Sequence, residues 1–179
     1  SDIIILNTCY VKTPTENRIV NRIKELASRF PEKKMVVSGC MTIVDKERVL
    51  LSNPRASLLG PQNVDRIEEA IEKSLLGERF ALLEYRRVDK SRLPKLWKKN
   101  DVIRIVPICE GCSDNCNYCC TRIARRSIFS FDTESILREI SEGVQDGTKE
   151  FWLSAQDTSA YGLDKENDLA DLINRVAKV

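Results

Sequence analysis

Five of the chain's seven cysteines crowd into a single dozen residues, and that loop restricts what the chain can fold into more than any other feature. It reads Cys109-Glu110-Gly111-Cys112-Ser113-Asp114-Asn115-Cys116-Asn117-Tyr118-Cys119-Cys120. An odd total does not suit a closed set of disulfides, and thiols this close cannot form independent bridges. Cys112, Cys116 and Cys119 make a CxxxCxxC pattern, with the aromatic Tyr118 just before the last. A 4Fe–4S cluster has four irons and normally takes four thiolates. Three thiolates on a tight loop leave one iron open to a small chelating molecule. S-adenosylmethionine (SAM) suits that position through its amino and carboxylate groups, and Tyr118 is placed to line it. An electron from the cluster then breaks a carbon–sulfur bond and yields a 5′-deoxyadenosyl radical, while the protein orients the reactants and excludes water.

Two other readings compete. Cys109, Cys112, Cys116 and Cys119 also form two CxxC pairs, the usual pattern for tetrahedral zinc, but a zinc ribbon separates its pairs by roughly 15–20 residues. A ferredoxin-type run needs different spacing and a closing Cys-Pro. Cys109 and Cys120 are left over, as packing residues or spare thiols. Histidine is absent, which removes the commonest zinc ligand and the usual base near neutral pH.

The rest of the chain alternates strands and helices. Apolar runs at 3–6, 35–37 and 57–59 read as buried strands. Thr13-Pro14-Thr15-Glu16 reads as a helix start, with Thr13 as the cap and Glu16 completing a capping box; Ile19, Ile23, Leu26 and Phe30 supply its buried stripe. A short helix over 47–51 and a helix from Val64 to Leu75 complete a small parallel α/β sheet. Cys9 and Cys40 each fall just past a strand end, where ligands gather in such sheets. A lone cysteine at such a place is more often a small hydrophobe.

A segment over 85–100 follows, with seven cations against one anion, Asp89. This local +6 reads first as a solvated linker face, although with Trp97 in it the segment is also the one candidate for contact with nucleic acid. Beyond it the pattern is strand (102–108), cysteine loop, helix (132–145, capped by Asp132, inner stripe Ile136, Leu137, Ile140 and Val144), strand (150–153), loop and helix (169–176). These are two units of a β/α barrel, whose chemistry sits on the loops after the strands. Ser154, Gln156 and Asp157, at the end of the second strand, are candidates to bond the amino group of SAM or the substrate. Arg122, Arg125 and Arg126 follow the cluster loop and are candidates for a carboxylate or a phosphate.

With 42% hydrophobic and 31% charged residues the chain has the composition of a packed domain. A net charge of +2 implies no nucleic-acid partner by itself. No apolar run approaches the roughly 20 residues of a membrane span, and the start lacks the basic region of a signal peptide.

Asn7-Thr8-Cys9, Val37-Ser38-Gly39-Cys40-Met41, the CxxxCxxC loop and Gln156-Asp157-Thr158-Ser159-Ala160-Tyr161-Gly162 together resemble the methylthiotransferase family, the MiaB-like radical SAM enzymes. The resemblance covers essentially the whole chain. It implies an α/β fold: a methylthiotransferase N-terminal domain over 1–84 whose first strand precedes Ser1, a basic linker over 85–100, and the first part of a radical SAM β/α barrel over 101–179. The remaining barrel and an RNA-binding TRAM domain are expected beyond Val179. It also implies two 4Fe–4S clusters, with Cys112, Cys116 and Cys119 holding the one that meets SAM. Cys9 and Cys40 become the second and third ligands of an auxiliary cluster whose first ligand precedes Ser1. Arg122 and Arg125 become substrate-binding candidates. Arg126 departs from the family, which usually has glycine there.

Thr13-Pro14-Thr15-Glu16 and Ser57-Leu58-Leu59-Gly60-Pro61 with Asp65-Arg66-Ile67 resemble the archaeal and eukaryotic branch. That branch methylthiolates carbon 2 of threonylcarbamoyl-adenosine beside the anticodon of tRNA. The resemblance implies a cytoplasmic, monomeric enzyme with tRNA and an electron-donor protein as partners, an unspecified sulfur donor, and no turnover by this segment alone. The 156–162 motif also resembles the branch that modifies a ribosomal-protein aspartate. A zinc-stabilised RNA-binding module is the non-catalytic alternative.

Overall fold

The computed structural model describes residues 2–95 and 102–179. Trp97, Lys98 and Lys99 of the basic segment lie outside them. By internal contacts the chain divides into two units. The first runs to Val88 and also takes in Cys116–Arg125; the second comprises Asp89–Asn115 and Arg126–Val179.

The first unit is a four-stranded parallel sheet in the order β1 (Ile3–Thr8), β2 (Lys34–Gly39), β3 (Ser57–Leu59), β4 (Ala81–Leu82). Its strands read as unbroken apolar runs because both faces are covered. Met35 and Val37 of β2 pack with Val20, Ile23 and Leu26 of α1 (Thr13–Arg29), with Met41 of α2 (Met41–Val44) and with Val49 of α3 (Lys46–Ser52). Val36 and Leu59 turn to the opposite face, against Ala70 of α4 (Ile67–Leu75) and Phe80. Each such side chain, fully withdrawn from water, contributes about 1.5–3 kcal/mol.

The start of α1 differs from the sequence expectation. Lys12, not Thr13, is the cap residue, and no side chain caps the helix. Glu16 does not reach back to complete a capping box; it pairs at 3.4 Å with Arg48 of α3. The expected long helix from Val64 is a 3₁₀ turn over Pro61–Arg66 that leads into α4.

In the second unit β5 (Ile103–Pro107) and β8 (Glu150–Ser154) pair in parallel. Between them lie β6 (Cys109–Glu110), α5 (Thr121–Ala124), β7 (Phe129–Ser130) and α6 (Thr133–Gln145). β6 and β7 pair antiparallel, a short hairpin that nothing in the periodicity announces, and α5 belongs to the first unit. Asp132 caps α6 as expected, its carboxylate accepting from Ser135 N. The core joins Val106, Ile108, Ile128, Phe131, Ile136, Ile140, Tyr161 and, from α7 (Leu169–Val176), Leu172. Val144 is exposed instead of joining this stripe, and Glu139 and Gly143 are buried on α6.

In the described part of the basic segment, four cations meet carboxylates. Arg86 forks onto Asp65 at 3.1 and 3.0 Å, Lys90 meets Glu110 at 2.5 Å, Arg92 lies 3.5 Å from Asp132, and Lys95 pairs with Glu139.

Candidate functional site

The parallel register of β1 and β2 ends with Thr8 opposite Gly39, so Cys9 and Cys40 leave neighbouring strands at the same rim. Cys40 N donates to Thr8 O at 3.2 Å. Gly39, at φ +101°, makes the close approach possible: a Cβ there would stand 2.2 Å from Thr8 O. Hydroxyls brace this edge. Thr8 Oγ1 donates to Ser38 O at 2.6 Å, and Thr42 Oγ1 to Gly39 O at 2.8 Å. Both thiols are half-buried.

Two residues from the far end of the cysteine loop join them in this unit. Cys120 Sγ donates to Tyr10 O at 2.6 Å, and Arg125 Nε donates to Cys40 Sγ at 3.3 Å. Burial raises the Cys120 thiol above its ordinary range, and the negative charges of Cys119, Cys40 and Cys9 raise it further. Cys120 is therefore a neighbour of the two strand-end thiols, not a stray packing residue. Local sequence carries no signal of this, because the contact spans more than a hundred residues.

The second unit holds the start of the loop. Cys109 is 2% exposed and donates to Asp157 O at 3.4 Å. Burial, helped by the nearby Asp157, Asp164 and Glu110 carboxylates, pushes its thiol up to about 12. Gly111, at φ +83°, turns the chain. Its N–H donates to Gln156 Oε1 at 2.8 Å, and Cys112 N donates to Arg126 O at 3.1 Å. Asp157 takes Ser159 Oγ at 2.7 Å on one oxygen and Cys112 Sγ at 3.6 Å on the other. The Ser159 hydroxyl bond, more than the Cys112 contact, holds its carboxyl below the ordinary range despite some desolvation. Gln156 and Asp157 thus brace the cysteine loop. Ser154 offers its carbonyl to Ile108 N at 3.0 Å.

Cys116, Cys119 and Arg122 are exposed, and Tyr118 is 91% exposed. Cys119 N closes a turn onto Cys116 O at 3.1 Å. Cys112 packs with the second unit, whereas Cys116 and Cys119 pack with the first. Among the described residues no three cysteine or carboxylate side chains are gathered closely enough to hold a metal ion.

Residues 1–60 match the family described as "Uncharacterized protein family UPF0004". The whole chain aligns with the "Probable threonylcarbamoyladenosine tRNA methylthiotransferase" of Methanothermobacter thermautotrophicus at 40% identity, covering 42% of that protein. It also aligns over its whole length with the "Threonylcarbamoyladenosine tRNA methylthiotransferase" of Xenopus laevis, at 33% identity and 33% coverage, and of Homo sapiens, at 32% identity and 31% coverage. The chain is a homologue of these methylthiotransferases. It spans about two fifths of the length of its archaeal relative.

One loop residue carries a visible backbone cost. Arg126 sits at φ +59°, the one non-glycine residue with positive φ among those described. That conformation costs an L-residue about 1–2 kcal/mol, partly offset by the entropy a glycine loses. Arg126→Gly is expected to stabilise the loop by about 0.5–1 kcal/mol, read as slower amide exchange at Cys112, whose N–H bonds the Arg126 carbonyl. Equal or faster exchange would show that the arginine side chain compensates for the strain.

Proposed function

We propose that the full-length protein is a radical SAM methylthiotransferase that adds a methylthio group to carbon 2 of threonylcarbamoyl-adenosine in tRNA. One observation carries the reading. In a chain aligned end to end with enzymes named for this reaction, CxxxCxxC occurs together with two thiols emerging side by side from parallel strands. Soft thiolate donors suit iron–sulfur clusters. Cys112, Cys116 and Cys119 would hold a three-ligand 4Fe–4S cluster, and Cys9 and Cys40 would contribute to an auxiliary one. The three-ligand cluster supplies the electron that cleaves SAM.

This chain's own residues do the holding. Gln156 fixes the Gly111 amide and Asp157 faces the Cys112 sulfur, and together they set the loop's entry. Cys109, buried and bonded to Asp157 O, would stay outside the ligand set. Arg122 and Tyr118, both exposed beside the loop, would meet SAM or the nucleotide.

The test uses the complete gene in a host lacking the modification. Total tRNA is digested and its nucleosides measured by liquid chromatography–mass spectrometry. A methylthio form of threonylcarbamoyl-adenosine is expected with the intact protein and is expected to fall below detection with Cys112→Ala. Unchanged tRNA from a brown protein that still cleaves SAM would transfer the reading to the ribosomal-protein branch. A colourless, zinc-loaded protein would sink both.

A further inference from the structure

Arg125 was expected to meet a substrate or a carboxylate, yet its Nε–H points onto the Cys40 sulfur at 3.3 Å across 85 residues of sequence. The contact is held at several points. Arg125 N closes α5 onto Thr121 O at 2.6 Å, and Ala124 N bonds Cys120 O at 3.0 Å. Gln62, 2% exposed, donates from Nε2 to Ala124 O at 2.9 Å, gripping the end of α5 just before the arginine. At the other end Cys120 Sγ is tied to Tyr10 O, next to Cys9. Both ends of α5 are therefore fastened to the rim that carries Cys9 and Cys40. A guanidinium does not lose its proton in proteins, so the donor persists at any working pH.

We propose that Arg125 is a positioning residue for the Cys40 sulfur, donating an N–H that orients it as a cluster ligand and raises the reduction potential of the cluster it helps to hold. The inference rests on the reading of Cys9 and Cys40 as auxiliary ligands. Hydrogen bonds to the sulfurs and nearby charge are among the factors that set iron–sulfur potentials. A donor carrying fixed positive charge favours the reduced, more negative form. Partners of this kind, one step outside the ligands, typically change metal affinity 10–100-fold.

The test uses the full-length protein with Cys112, Cys116 and Cys119 all changed to alanine, so that only the auxiliary site remains. It is loaded with iron and sulfide without oxygen and titrated with dithionite while the paramagnetic signal is followed. One electron per cluster enters from dithionite, and no protein bond forms or breaks. Arg125→Met, of similar length but without the donor, is expected to keep its iron and shift the balance about tenfold toward the oxidised form, which is about 59 mV for a one-electron couple. Arg125→Lys, which restores a charge and a donor, is expected to recover part of that shift. Loss of iron from the methionine variant while the lysine variant holds it would support the same requirement for a donor. An unchanged potential and signal in Arg125→Met, or equal loss of iron from both variants, would overturn the proposal. If the triple-alanine parent binds no iron, the auxiliary-ligand reading fails, and the proposal falls with it for that separate and visible reason.

Discussion

Gly111→Ala is expected, on the radical SAM reading proposed above, to cost the cysteine loop its cluster and to lower SAM cleavage by the full-length protein about a hundredfold, with tRNA product falling in parallel. The reason is steric and local. At φ +83° an added Cβ would stand 2.3 Å from Ser127 O and 2.8 Å from Arg126 O. These are backbone atoms, so no rotamer change relieves the clash. The two chain segments must separate, which breaks the Cys112 N bond to Arg126 O that crosses between them, and the shift of Gly111 also strains its N–H bond to Gln156 Oε1. The positive φ adds its own penalty of about 1–2 kcal/mol. Cys112 would then be presented from a displaced loop, and ligand geometry tolerates little displacement. Iron content and SAM cleavage measured on the same preparation decide the matter. A variant with full iron and normal cleavage would show that the turn is not what positions Cys112. Gln156→Leu removes only one of the two bonds and adds no clash, so its effect should be smaller and of the same kind.

That turn illustrates what was legible in the sequence. CxxxCxxC spacing is a local code, and so are the apolar runs that became β1, β2 and β3 and the Asp132 cap of α6. Each depends on residues within a few positions of one another. The ends of β1 and β2 were legible too, because their parallel pairing follows from the strand–helix–strand order, and with it the shared rim of Cys9 and Cys40. What stayed hidden depends on distant chain. In the sequence Cys120 is a leftover thiol and Arg125 a candidate for a carboxylate or a phosphate; their contacts with Tyr10 and Cys40 arise only because α5 packs in the first unit. Gln156 and Asp157 stand out in the sequence for their place after a strand, and the partners the structure gives them are loop atoms. Periodicity also misplaced Val144, because the face of α6 that turns inward is built around Glu139 and Gly143, next to a buried charge on β5.

That charge gives the second large effect. Arg104 sits in the middle of β5, 1% exposed, on the side of the strand that also carries the buried Val106. Its Nη2 donates to Asp146 Oδ2 at 3.0 Å, and its Nη1 reaches Glu139 O at 3.5 Å. Arg104→Ala is expected to cost about 3–5 kcal/mol, combining the void left by a long buried side chain with the loss of these bonds. Arg104→Met fills most of the same space and introduces no charge, so it should cost less than about 1.5 kcal/mol, since buried ion pairs often replace well by apolar side chains of similar volume. Asp146→Ala separates burial from pairing. It leaves the guanidinium buried without this carboxylate and should cost more in the native chain than in the Arg104→Met background. Asp146 is itself 45% exposed at its side chain, so its own desolvation adds little to the difference. Amide exchange along β5 and β8, read as local opening free energies, measures the native chain and all four variants. Equal costs for Asp146→Ala in both backgrounds would mean that Arg104 is held by packing alone. A larger cost beside the arginine would show that this strand carries its charge only because Asp146, at the end of α6, answers it.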